Sequence, residues 1–160
     1  MKNLQKIKNT RFITEAAVIA AIYAALTILL APISYNLFQV RVSEALTVLP
    51  AFTPTAIPGL FIGCLIANIY GGRLIDIVFG SLATLAAAYL SYKMPKKWLV
   101  PLPPVVINAV VIGYIYRAAD MPLIASMGLI GLEQAVACYG LGYPLMLVLA
   151  KVKDKIFKTW

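Results

Sequence analysis

Apolar residues run along this chain in six blocks separated by short polar breaks. The first block predicts a helix over about Phe12 to Ala31. The second is short, about Ser43 to Phe52, and ends at Thr53-Pro54. The third predicts a helix from about Thr55 to Tyr70, with Pro58 tolerated in its first turn, where no intrahelical donor is lost. Gly71-Gly72 breaks it. The fourth covers about Leu74 to Tyr92. The fifth starts near Trp98, carries Pro101, Pro103 and Pro104 in its first turns, and ends near Tyr116. The sixth runs from about Pro122 to Ala150, long enough to tilt in a bilayer. Each full-length block approaches the roughly 20 apolar residues that cross a hydrocarbon core.

Composition turns six apolar blocks into a class. The 160 residues are 62% hydrophobic and 12% charged, against about 45–50% and about 25% in soluble domains. The expected fold is an all-α membrane protein, a compact bundle of six transmembrane helices with both termini cytoplasmic. It forms a single domain over 1–160, with a basic N-terminal segment (1–11) and a basic tail (151–160). The first block is too long for a signal-peptide core and is read as a retained helix.

The net charge of +8 changes the picture through its placement. Lys2, Lys6, Lys8 and Arg11 precede the first block, Lys93, Lys96 and Lys97 sit in one break, and Lys151, Lys153, Lys155 and Lys158 close the chain. An even number of spans puts all three clusters on one face, which the positive-inside rule makes cytoplasmic. Attraction to anionic lipid accounts for these lysines without nucleic acid. Arg41, Arg73 and Arg117 fall on the opposite side. The second and third blocks, being short, also fit a re-entrant pair with the same sidedness.

Glu133 and Gln134 are the outliers, an acid beside an amide deep in the sixth block. A carboxylate at mid-span costs about 2.5–3.5 kcal/mol by insertion scales. Such a group faces a polar cavity or a partner. Glu133 lies ~16 Å below Pro122, and Asn108 lies ~13 Å below Arg117, at about 1.5 Å per helical residue. Asn68, near the end of the third block, belongs to the same deeper set. Above them come Arg41, Glu44, Asp76, Asp120, Tyr114 and Tyr116, with Tyr35, Asn36, Phe38 and Gln39 in the first outer break. The set suggests one outward-facing polar pocket with aromatic walls. Structural roles compete for each residue. Arg41–Glu44 and Arg73–Asp76 have helical ion-pair spacing. Asn68 and Asn108 suit interhelical hydrogen bonds. The tyrosines suit an interfacial belt. Glu133 suits a buried ion pair.

Other chemistry is sparse. Cys64 and Cys138 lie in apolar blocks and read as packing residues, and with no histidine no metal set emerges. No cofactor is expected. No Gly-x-x-x-x-Gly-Lys-Ser/Thr loop occurs, so ATP hydrolysis would take place on another chain. On the first block, Ala16, Ala20 and Ala24 repeat at four-residue spacing, as do Ala17, Ala21 and Ala25. Such strips let helix backbones approach closely. Gly59 and Gly63 make a similar pair on the third.

The basic N-terminus, alanine ladder, six short spans and polar outer breaks resemble the substrate-binding S-component of an energy-coupling factor (ECF) transporter. The strings Val40-Arg41-Val42-Ser43-Glu44-Ala45-Leu46, Gly63-Cys64-Leu65-Ile66-Ala67-Asn68 and Pro103-Pro104-Val105-Val106-Ile107-Asn108 are similar to the queuosine-precursor transporter (QueT) family, over about residues 10–152. The resemblance implies a prokaryotic plasma-membrane protein, not an enzyme. It implies a transmembrane coupling subunit and two ABC-type ATPases as partners, with Ala16, Ala20, Ala24, Ala17 and Ala21 as the docking face. The bundle would capture its ligand outside and topple in the membrane. The implied ligand is a 7-deazaguanine such as preQ1 or queuine.

Such a base presents a ring N–H beside an exocyclic amine, a donor pair that suits one carboxylate. Glu133 is the expected acceptor, with Asn108, Asn68 or Gln134 at the carbonyl and pyrrole edges. An aminomethyl ammonium would favour Asp76, Glu44 or Asp120, and Tyr or Phe rings would sandwich the base. The alternatives are an S-component for another vitamin-like molecule, a stand-alone proton-coupled carrier using Glu133, and an intramembrane enzyme, for which no catalytic motif stands out.

Overall fold

The computed structural model describes residues 2–35, 40–117 and 122–156, with side chains over 10–35, 40–115 and 122–153. Asn36, Phe38, Gln39 and Asp120, and the side chains of Tyr116 and Arg117, lie outside the described residues. The fold is all-helical, with no strand among the described residues. In chain order come α1 (Lys2–Leu29), α2 (Ala31–Ser34), a 3-10 helix (Val42–Ala51), α3 (Ala56–Gly71), a π turn (Asp76–Gly80), α4 (Ser81–Lys93), α5 (Leu102–Arg117), α6 (Leu123–Ala135), a second π turn (Val136–Gly142) and α7 (Tyr143–Ile156). The helical segments follow the six expected blocks. The sixth block is one rod, α6 through the π turn into α7. Three helical stretches, Thr10–Leu29, Lys97–Ile115 and Leu123–Lys153, are long and apolar enough to cross a membrane.

The short second block is a 3-10 helix of 10 residues, where an α-helix was the simple expectation. Pro50 lies inside it and offers no N–H, and Thr47 Oγ1 donates to Glu44 O at 2.6 Å, three residues back. At about 2.0 Å per residue this helix reaches about 20 Å, against about 15 Å as an α-helix. It is buried through Glu44, Thr47 and Val48 and packs against α1, α3, α4 and the second π turn. It is therefore the central post of the bundle.

Around it α1 packs on α3, α3 on α4, α4 on α5 and α5 on α6. The α1–α3 seam depends on two glycines. A Cβ on Gly59 would stand 2.8 Å from Ala16 O, and one on Gly63 would stand 2.8 Å from Ala20 O. Ala16, Ala20 and Ala24 are buried. In this bundle the face formed by those three alanines is filled by α3. Ala17, Ala21 and Ala25 remain exposed on the other side.

The bundle buries polar side chains beside an apolar core and turns an apolar rim outward. Asn68, Thr84, Asn108, Glu133 and Gln134 are buried, while Ile22, Ile66, Val78, Val110, Leu132 and Val148 are exposed. Hydrocarbon rewards that inversion, since it solvates the apolar rim and leaves polar groups to find partners within the protein. Cys64 and Cys138 are free and buried, as expected of packing residues.

Candidate functional site

One cleft gathers the buried charged and amide side chains. Arg41 and Glu44 enter from the start of the 3-10 helix, Asn68 from α3, Asp76 and Gly80 from the first π turn and Thr84 from α4. Asn108 and Ile112 come from α5, and Ile130, Glu133 and Gln134 from α6. Of the side chains expected around the pocket, Arg41, Glu44, Asn68, Asp76, Asn108, Glu133 and Gln134 line this space. Tyr114 is 62% exposed and lines a separate apolar groove with Phe79 and Met127. The cleft encloses about 430 Å3 including its open mouth, and about 20 Å3 of that admits the centre of a water molecule.

One wall is a hydrogen-bonded relay. Arg41 Nη1 donates to Asn68 Oδ1 at 3.0 Å. Asn68 Nδ2 donates to the Asp76 carbonyl at 2.8 Å and to Ser81 Oγ at 3.2 Å. The wide π turn presents that carbonyl to a side chain, and Asn68 fills the role. Helix α3 stops just beyond, at Gly72 with φ 77°, whose N–H returns to Asn68 O at 3.1 Å. That left-handed position favours glycine. Arg41 also sits over the Tyr35 ring, 5.6 Å from its centroid, while Tyr35 Oη donates to Ala67 O at 2.6 Å.

Arg41 and Glu44 do not form the ion pair that their spacing allows. Glu44, 2% exposed, accepts instead from Tyr23 Oη of α1 at 2.6 Å, and its Oε2 meets no hydrogen-bond partner among the described residues. Arg73 and Asp76 do pair, Nε to Oδ2, at 3.5 Å. Asp76 Oδ1 is buried with no hydrogen-bond partner among the described residues.

The opposite wall comes from α5 and α6. Asn108 Nδ2 donates to Gln134 Oε1 at 3.1 Å, so the amide that looked like interhelical glue is glue and cavity lining at once. Glu133 is buried beside it. Immediately after this pair the rod widens into the second π turn. There Cys138 Sγ lies 3.7 Å from Glu44 O and 3.8 Å from Gln134 Oε1, tying this wall to the central post. π turns recur at functional sites because they break the regular ladder, and here both adjoin the cleft.

The aromatic walls expected for the cleft are not there. No aromatic side chain lines it among the described residues, and the flat apolar surfaces are Ile112 and Ile130. Tyr35 and Tyr70 meet in a tilted ring contact, centroids 6.2 Å apart, at the Arg41 end. Tyr23 was the residue passed over. Its signal was a lone hydroxyl-bearing ring inside an alanine ladder. Thr84, Gly80 and the two isoleucines carried no signal, since such residues are ordinary in apolar helices.

The chain matches the QueT transporter family model over residues 13–151. A relative from Lactococcus lactis subsp. cremoris (strain MG1363), described as queuosine precursor transporter QueT, is 38% identical over 82 residues. That alignment covers 50% of this chain and 48% of the relative, so the chain spans about half the length of the curated relative it matches. No solved structure matches. The family match takes in all the cleft-lining positions and the seam that packs them, and on that match the chain belongs to the QueT transporter family.

Proposed function

We propose that this chain is the substrate-binding S-component of an ECF-type importer and that its cleft takes a 7-deazaguanine precursor of queuosine. The observation that carries the reading is the cleft itself, a buried site rich in hydrogen-bonding groups inside an apolar-faced bundle. Hydrocarbon penalises such a site unless function requires it. In this reading six segments span the plasma membrane of a prokaryote, with both termini cytoplasmic and the cleft toward the outside.

Glu133 takes the ring N–H and exocyclic amine of the base. Asn108 and Gln134, already bonded to each other, each keep a free hydrogen-bonding position for the carbonyl and pyrrole edge. Ile112 and Ile130 face the ring. A site of paired polar groups rejects bases that leave one of them unanswered. A bicyclic base is larger than the space now open to water at the centre, so the cleft widens to admit it. Transport then needs a coupling subunit and two ABC-type ATPases, with the exposed Ala17–Ala21 strip of α1 as the docking face. The family is a transporter family, and the chemistry here is recognition without catalysis.

Calorimetry on purified protein tests the reading, with preQ0, preQ1, queuine, guanine and common vitamins as ligands. Tight binding of a 7-deazaguanine, weakened about tenfold or more in Glu133→Gln, is the expected result. Selective binding of an unrelated vitamin, or unchanged affinity in Glu133→Gln, would overturn it.

A further inference from the structure

We infer that Tyr35 and Gly71, neither of which lines the cleft, set the position of the Arg41 guanidinium that does, so that Tyr35 is a positioning residue for ligand capture. The consequence for affinity rests on the reading above. The positioning itself does not.

Arg41 stands just before the 3-10 helix with an extended backbone, φ -78° and ψ 102°. No helical ladder fixes where its long side chain lies, and a side chain with that much rotamer freedom needs outside contacts to keep one geometry. Two contacts supply them. Nη1 donates to Asn68 Oδ1 at 3.0 Å. The guanidinium carbon lies 5.6 Å from the centroid of the Tyr35 ring, within the roughly 6 Å at which a ring face attracts a cation.

The ring is held in turn. The Tyr35 N–H returns to Ala31 O at 3.0 Å, and its Oη donates to Ala67 O at 2.6 Å. Tyr35 and Arg41 therefore dock on consecutive residues of α3, one on the Ala67 carbonyl and the other on the Asn68 side chain. Gly71, one turn beyond Ala67 on the same face, makes the room. A Cβ there would stand 2.8 Å from Tyr35 Cε1 and 3.2 Å from Cδ1. The glycine that looked like a plain helix breaker leaves the space in which the ring lies.

Asn68 is oriented independently, since its Nδ2 donates to Asp76 O and Ser81 Oγ. A fixed amide and a fixed ring together place the planar fork of Arg41 before any ligand arrives. A ligand acceptor that meets a pre-set fork does not bear the cost of ordering it. Shifting the far end of a tyrosine costs little stability, but it moves the surface under the guanidinium. Affinity should then fall where melting does not, the opposite of what a packing role gives.

The test uses calorimetry with preQ1 and queuine as probes, beside thermal unfolding of the same samples. Tyr35→Leu, which removes the ring, and Gly71→Ala, which displaces it, should each weaken binding about fivefold at near-parental melting. Tyr35→Phe keeps the ring and should recover most of that loss. Gly71→Ala should add nothing in the Tyr35→Leu background, where the ring it displaces is gone. Gly128→Ala, whose Cβ would meet nothing within 4 Å, should bind as the parent does. Parental affinity in Tyr35→Leu and Gly71→Ala overturns the inference and leaves the 7-deazaguanine reading standing. Affinity losses that only track losses in melting overturn it too, and reduce Tyr35 to packing. If the parent binds neither probe, the 7-deazaguanine reading falls, and a ligand-free measurement decides the inference. The fluorine resonance of 3-fluorotyrosine placed at position 35 should shift in Arg41→Met and in Gly71→Ala, and an unchanged resonance in Arg41→Met overturns the positioning.

Discussion

Tyr23 Oη donates to Glu44 Oε1 at 2.6 Å, joining positions 21 residues apart. Tyr23 is 0% exposed and sits on the buried face of α1, so one hydrogen bond connects α1 to the wall of the cleft. Thr27 supports it. Its Oγ1 donates to Tyr23 O at 2.9 Å and meets Ser43 Oγ at 2.6 Å. The start of the 3-10 helix is thus pinned to α1 at two neighbouring points.

Removing the hydroxyl leaves Glu44 with a second buried oxygen unanswered. Tyr23→Phe should lower stability by about 1 kcal/mol, in the range of hydrogen bonds between membrane helices, and should weaken ligand binding in the cleft by releasing the Glu44 rotamer. Thermal unfolding in detergent and calorimetry check the two effects. A variant with parental melting and parental affinity would show the bond to be dispensable.

Gly63 is the tightest point of the α1–α3 seam. A Cβ there would meet Ala20 O and Tyr23 Cβ, both at 2.8 Å. Gly63→Ala should destabilise the bundle by about 1–3 kcal/mol through forced separation of the backbones. Gly140→Ala, where nothing lies within 4 Å, should melt like the parent. Equal melting of the two variants would contradict the close approach.

Asn108 and Gln134 act as a pair across α5 and α6. Their alanine substitutions should be non-additive, with a coupling of about 0.5–1.7 kcal/mol in a double-mutant cycle on unfolding. Additive losses would mean that the bond carries no net stability.

The two alanine strips of α1 should behave oppositely. Ala20→Leu, on the buried strip, should cost stability by overpacking against α3. Ala21→Trp, on the exposed strip, should leave melting and ligand affinity unchanged and abolish co-purification of the coupling subunit and ATPases. Retained co-purification in Ala21→Trp would place the docking face elsewhere.

The outline of the fold was legible along the chain because hydrophobic blocks and their breakers are local signals. Pro54, Gly71-Gly72 and the Pro101–Pro104 run stop or start helices through their own backbone chemistry, and the helical segments end close to them. Asn68, Asn108, Glu133 and Gln134 stood out for the same reason, since a polar residue in an apolar block is conspicuous by its cost. The rest depended on packing. Which of two identical alanine strips faces inward was decided by where Gly59 and Gly63 allow a backbone to approach. Whether Glu44 answers Arg41, three positions away, or Tyr23, 21 positions away, was decided by the 3-10 helix standing against α1. Spacing makes a contact possible, but only the position of the neighbouring helices determines which of the possible partners lies within 3 Å.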